Sequence, residues 1–224
     1  MDVLDALRAR KSVRAFLNKP VSLQQINTLL DAARWAPSGT NTQPWQVAVV
    51  MGDKKAQIQQ ALENAFRAGQ PSLKDYPYYP SEWIDPFITR RRVCGQQLYS
   101  ALHIARDDKA KRLEQWIANY RAFEAPVMLF FFMHKIMERG SYLDYGMFLQ
   151  SIMLAAVDQG LATCAQAALA EYPELIRREL GYSDDYVLVC GMALGYEDTT
   201  AAVNQYRTSR ETLDRFVSYY SAEI

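Results

Sequence analysis

The 224-residue sequence has no excess of either charge, with 25 Lys plus Arg against 25 Asp plus Glu. Nucleic-acid binding leaves a basic face or stripe, so no nucleic-acid partner is expected. Histidine is almost missing. His103 and His134 lack partner spacing for a metal, and a Ser-His-Asp triad would have to draw on the same two residues. The ten glycines are scattered and form neither a dinucleotide fingerprint nor a phosphate-cradling P-loop. Gly191 and Gly195 keep a small-xxx-small spacing, which carries no membrane meaning in a strand-like run. Cys94, Cys164 and Cys190 are widely spaced and odd in number, which reads as free thiols rather than a disulfide framework. The longest apolar run, 126–133, is far shorter than the roughly 20 residues that cross a bilayer. No charged segment leading into an apolar core opens the chain. The expectation is a cytoplasmic protein with no membrane association, no metal and no catalytic side chain. Any reaction would fall to a cofactor.

What is present suffices for one domain, 1–224, since half of the residues are apolar. Asp2 is placed to cap a helix with Leu4 and Leu7 on one face, ending near Arg10. Ser22 and Gln25 make a capping box for a second helix, whose Leu23, Ile26, Leu29, Leu30 and Ala33 recur at helical spacing before Pro37 stops it. Residues 45–51 read as a strand, and Asp53 opens a helix that Gly69 can close. Four prolines among Tyr76, Tyr78, Tyr79 and Trp83 make 70–86 a structured loop, followed by helices over 87–105 and 107–123. Residues 70–124 are thus expected to form a helical insertion, a lid or an arm that grips another chain. Buried strands are predicted over 126–134 and 186–194. Between them come a core helix over 142–159, apolar nearly all round and ended by Gly160, and a helix from Pro173 to Gly181. The tail from 210 to 220 reads as helical. Three or four strands among seven or eight helices indicate α+β or α/β.

Two basic clusters stand at opposite ends of this neutral chain: Arg10, Lys11, Ser12 and Arg14 at one, Arg207 and Arg210 at the other. A phosphate monoester carries close to two charges, and guanidinium forks with a hydroxyl between them suit its oxygens. A solvated helix end is the plainer alternative for the first cluster. Between the clusters lies Pro37-Ser38-Gly39-Thr40-Asn41-Thr42-Gln43-Pro44-Trp45. Its prolines stiffen an irregular backbone, and Ser38, Asn41 and Gln43 can hydrogen-bond the edge of a flat heterocycle. An ordinary capped turn is the alternative there.

In their order, a helix, Arg10-Lys11-Ser12-Val13-Arg14, a second helix, the 37–45 segment, a strand and Asn204-x-x-Arg207-x-x-Arg210 resemble the FMN-dependent nitroreductase family. So does the core helix running into Gly160-Leu161-Ala162-Thr163-Cys164. The resemblance covers about 1–62 and 125–217, with 63–124 in the family's variable region, and 70–124 is most similar to the nitrobenzoate-reductase-like branch. It implies an α+β fold, a central, mostly antiparallel sheet flanked by helices, in an intertwined homodimer with two shared sites. Arg10, Lys11, Ser12, Arg14 and Arg210 would gather at the FMN phosphate and ribityl chain, with Arg207 a second candidate. Some relatives carry a lysine two residues before the last arginine; Thr208 stands here, which leaves open whether Arg207 or Arg210 reaches the phosphate. Pro37, Ser38 and Asn41, with Gln43 beside them, would meet the isoalloxazine from the neighbouring subunit. Ala165, Gln166, Ala167 and Ala168 fall where relatives set backbone amides against flavin N5 and O4. Some relatives have Pro-x-Glu-Gly there, a carboxylate this chain lacks.

The implied chemistry is ping-pong hydride transfer through flavin N5, from NADH or NADPH as transient reductant to a nitroaromatic or quinone. Dehalogenation, desaturation, flavin fragmentation and non-catalytic flavin storage remain as alternatives. The arm would choose the small aromatic acceptor through Tyr76, Tyr99, Trp116, Tyr120 and Phe123, with Arg90, Arg91 and Arg92 available for a carboxylate.

Overall fold

Seven apolar residues in a row, Val127 to Met133, suit a strand covered on both faces. Strand β2 (Val127–His134) occupies that position in the computed structural model, which describes residues 1–220. Its side chains alternate between two cores. Met128, Phe130 and Phe132 pack with Ile58, Leu62, Tyr120 and Ile176, whereas Val127, Leu129, Phe131 and Met133 pack with Ile26, Leu29, Tyr145, Phe148 and Ile152. The first core lies under α3 (Gly52–Arg67) and α7 (Pro173–Leu180), the second under α2 (Leu23–Ala33) and α6 (Gly140–Asp158). With β1 (Gln46–Met51), β3 (Ala162–Gln166) and β4 (Tyr186–Gly195), the sheet runs in the order β1-β2-β4-β3 and every pair is antiparallel. The fold is α+β, as expected.

Local chemistry sets the ends of these elements. Asp2 accepts from the Leu4 N–H to start α1 (Val3–Ala9). Ser22 and Gln25 form the reciprocal capping box of α2. Pro173 opens α7, and Gly181, at φ 74°, closes it in the left-handed conformation. Gly191 serves a different purpose. A Cβ there would lie 2.5 Å from Leu169 Cδ1, so its bareness lets the turn after β3 rest on β4. Gly195 does the same for Pro126, 2.6 Å from such a Cβ.

The β2–β4 ladder shifts register between Phe131 and Phe132. At this irregularity the Leu188 N–H donates to Asp75 (2.7 Å) and the Val189 carbonyl accepts from the Tyr76 hydroxyl (2.7 Å). Asp75 is also paired with Arg177 at 2.6 Å. The start of the insertion is therefore sewn onto β4. Beyond that root, helix α4 (Phe87–Ala101) buries none of its residues, and α5 (Lys109–Ile117) buries only Ile117.

Four expectations are corrected. The predicted helix over 107–123 ends at Ile117, because Ala122, Phe123 and Glu124 take positive φ in a 3-10 turn that no glycine or proline announces. The preceding helix stops at Ala101 rather than 105, and His103 is left-handed at φ 53°. Strand β3 was not foreseen; Ala-Thr-Cys-Ala-Gln has little intrinsic strand preference, and pairing with β4 imposes the state. The tail has only a 3-10 turn, Leu213–Arg215, because Leu213, Phe216, Tyr219 and Tyr220 find no surface in this chain and stay exposed.

Candidate functional site

The basic residues gather where the two chain ends meet β3. The Val13 N–H donates to the Thr163 carbonyl (3.0 Å), and Ser12 bridges Thr163. Asn204 ties in the distal segment. It is buried; its Oδ1 accepts from the Arg14 N–H (2.9 Å), and its Nδ2 donates to the Ala15 and Asp198 carbonyls, each at 2.9 Å. One asparagine thus fixes residues 10–16 against 198–210.

Within this cluster the cations divide. Lys11 turns to Glu197 (2.7 Å) and the Asn204 carbonyl (2.5 Å) and is spent on the fold. Arg207 donates to the Ala9 and Arg10 carbonyls (3.1 and 2.9 Å), closing the C-terminus of α1. Arg210 bonds only to its neighbours Thr208 and Ser209. Burial holds the Arg10 guanidinium below its ordinary pKa, and the charges of Arg210 and Arg207 push it further down. Among the described residues no acidic side chain pairs with Arg10, Arg14, Arg207 or Arg210. Uncompensated like charges repel one another, so this packing suits an anion. Tyr206, which the sequence reading missed, is half-buried beside Arg14; burial raises its hydroxyl and Arg14 pulls it back.

Strand β3 is an edge strand, covered by Ser12 and Val13 only at Thr163. Because Thr163 turns its carbonyl outward to Val13, the two-residue alternation of a strand turns the peptide groups of Ala165 outward as well. Ala165 is exposed, Ala167 and Ala168 are half-buried, and a 3-10 turn, Ala168–Ala170, follows. The Gln166 side chain goes elsewhere: it is buried, and its Nε2 donates to the Asn119 carbonyl at 2.9 Å. Only its backbone is available at this edge.

The polar turn lies at the other end of α6. Thr40, Asn41 and Gln43 hold φ of 51°, 58° and 48°, conformations unfavourable for non-glycine residues that cluster at functional sites. Ser38 Oγ accepts from the Gln43 N–H (3.0 Å), and Gln43 Nε2 donates to the Asn41 carbonyl (3.2 Å). Pro37 and the Asn41 side chain are exposed. Asp144, the one acid of α6 ahead of its final residue Asp158, holds the turn by accepting from the Gly39 N–H (3.2 Å). The acid's isolation was the signal that could have found it. Among the described residues no hydrogen bond or ion pair joins this turn to the arginine cluster.

The arm's aromatics separate in the same way. Tyr120 and Phe123 are buried in the chain's own core, and their rings leave the set of substrate candidates. Tyr76 is packed on Tyr142 with ring centroids 4.8 Å apart, and the Arg112 guanidinium covers Tyr99 at 4.2 Å. Trp116 remains half-exposed. Arg90 pairs with Glu211 (2.9 Å), and Arg91 lies over Trp83 (4.9 Å). Two clefts of about 520 and 570 Å³, one between α3 and α7 and one beside Lys55, contain none of the predicted residues. The candidate site in one chain is an open edge.

Comparison with known proteins gives matches over nearly the whole chain. The model of the nitroreductase family matches residues 7–196. A nitrobenzene nitroreductase of Ectopseudomonas oleovorans is 38% identical over 216 residues, 96% of this chain and 95% of that protein. A 4-nitrobenzoate reductase of Pseudomonas putida is 37% identical over 219 residues, 97% of this chain and 96% of the relative. Among solved structures, an FMN and NADPH-dependent nitroreductase NfnB from Sphigopyxis sp. strain HMH superposes with a TM-score of 0.95 at 41% identity, covering 99% of this chain and all of the other.

Proposed function

The chain belongs to the nitroreductase family, and from that premise we propose that it is an FMN-dependent NAD(P)H oxidoreductase reducing nitroaromatics or quinones. The observation that carries this reading is the set of guanidinium groups without acidic partners, packed beside the open edge of β3. A phosphate dianion relieves the repulsion among Arg10, Arg207 and Arg210, and Ser12 supplies a hydroxyl between Arg10 and Arg14. Arg210 is the residue that reaches the phosphate, because Arg207 already caps α1. The outward peptide groups of Ala165, followed by Ala167 and Ala168, supply fixed dipoles to the ring edge. When bound, FMN supplies the redox chemistry, accepting electrons from NADH or NADPH and delivering them to the acceptor. A second copy of the chain supplies the 37–43 turn, with Ser38, Asn41 and Gln43 toward the ring, which makes the working unit a cytoplasmic homodimer with shared sites. The names of the relatives support nitroarenes over halogen removal or flavin storage.

The test is direct. Purified protein should carry flavin absorbance that bleaches anaerobically with NADH or NADPH and returns on adding nitrobenzene. Arg14→Ala and Arg210→Ala should weaken FMN retention about 10- to 100-fold, the loss of one charged hydrogen bond each. Arg207→Ala should instead lower stability, measured by urea unfolding, with a smaller effect on retention. A preparation that refuses added FMN ends the proposal; flavin that stays oxidised with both nicotinamides leaves only storage.

A further inference from the structure

Trp116 stands where two partly buried polar chains meet, one starting at Gln166, the last residue of β3, and the other at Glu171 in the stretch that follows. In the first, Gln166 Nε2 donates to the Asn119 carbonyl (2.9 Å) and to Asn119 Oδ1 (3.3 Å), and Asn119 Nδ2 donates to the Trp116 carbonyl (2.9 Å). In the second, Lys74 pairs with one Glu171 oxygen (3.1 Å) and the Tyr120 hydroxyl donates to the other. The Trp116 indole N–H then donates to that same hydroxyl (3.4 Å). One chain fixes the tryptophan's backbone and the other its ring. Gln166 and Glu171 bracket Ala167 and Ala168, the residues assigned above to the flavin edge.

Two further observations separate this arrangement from ordinary packing. Gln166 is only 4% exposed, and its Oε1 has no hydrogen-bond partner among the described residues. A buried carbonyl without a donor is destabilising, and a leucine of similar size would avoid it; what the glutamine gains is its hold on Asn119. The indole so carefully fixed is nevertheless 47% exposed. A ring anchored at both ends and left open is built to receive another flat surface.

We propose that Trp116 is the platform on which the flat acceptor stacks and so determines specificity, and that Gln166 and Glu171 are positioning residues that set its place against the 165–168 edge. This rests on the function proposed above. The electron-rich indole face suits an electron-poor nitroarene. Tyr120 acts only through Trp116, since it is buried.

The experiment is calorimetric titration of the oxidised holoprotein with nitrobenzene, without nicotinamide, with concentrations referred to bound flavin by absorbance. Trp116→Ala should weaken nitrobenzene binding about 10-fold, and Trp116→Phe, which keeps a ring, should restore most of it. Gln166→Leu should weaken binding about 3- to 5-fold by loosening the platform. The double variant Trp116→Ala/Gln166→Leu should be no weaker than Trp116→Ala alone, the non-additivity expected of a residue that acts through another. In steady state, Gln166→Leu should raise KM for nitrobenzene far more than it lowers kcat. Unchanged binding in Trp116→Ala, or additive losses in the double variant, overturns the inference while leaving the proposed function standing. A native protein without flavin or without nitrobenzene turnover removes both.

Discussion

At the scale of single residues, the buried tyrosines make the alkaline limit of stability predictable. Tyr145 is buried, with its hydroxyl donating to the Phe132 carbonyl at 2.6 Å. Burial drives its pKa, and that of Tyr120, well above the ordinary phenol value. In the unfolded chain both ionise near pH 10, whereas in the fold they stay neutral. Their contribution is therefore complete below pH 10 and lost as pH rises above it, by about 1.4 kcal/mol per pH unit for each tyrosine. Urea midpoints between pH 9 and 11 should fall accordingly, and Tyr145→Phe should flatten the slope by one tyrosine's share. The thiols follow the same logic. Burial pushes Cys190 up to about 12 and raises Cys164 too, so both should resist thiol reagents at pH 8 until the chain unfolds. Asn204 is the single residue on which the site's assembly depends most. Asn204→Ala removes two hydrogen bonds between the segments that carry the arginines and a third within the distal one. It should lower stability by about 1–3 kcal/mol and weaken FMN retention without touching any guanidinium.

At the scale of elements, Gly191 sets the distance between β4 and the turn that follows β3. Gly191→Ala brings a methyl carbon within 2.5 Å of Leu169, which should cost about 1–3 kcal/mol in urea unfolding and shift the 167–168 backbone. A stability unchanged by this substitution would show that the turn yields freely. Elements of this kind mark where the sequence stopped being readable. Helix α2 was legible because Ser22 and Gln25 state its start chemically, and α7 because Pro173 and Gly181 bracket it. Strand β2 was legible from its unbroken apolar run. Strand β3 was not, since its five residues carry no periodic signal and owe their state to partners far away in the chain. The same division runs through the site. Arg10, Arg14 and Arg210 announced themselves as charge without local cause. Asn119 and Asp144 matter through one distant partner each, Gln166 and Gly39, and a contact across 47 or 105 residues leaves little trace in spacing.

At the scale of the whole molecule, α6 supports the dimer proposed above. The sequence made this helix apolar nearly all round, and within one chain only the face carrying Tyr145, Phe148, Ile152 and Ala156 is covered. Leu143, at 74% exposure, and Met147, at 40%, lie off that face, and Val3, Leu4 and Leu7 of α1 and Phe216 and Tyr219 of the tail are exposed as well. Each large apolar side chain that becomes buried contributes about 1.5–3 kcal/mol, so a second copy packing on these side chains gains enough to hold a stable twofold dimer. In that proposed dimer the partner's 37–43 turn meets the arginine cluster across this interface. Charge at the interface should undo both. Leu143→Glu together with Met147→Glu should sediment as a monomer with native circular dichroism, and it should lose FMN to the level of Arg210→Ala although every phosphate-binding residue is intact. A monomer of this variant that keeps its flavin would place the whole site within one chain and remove the partner's turn from it.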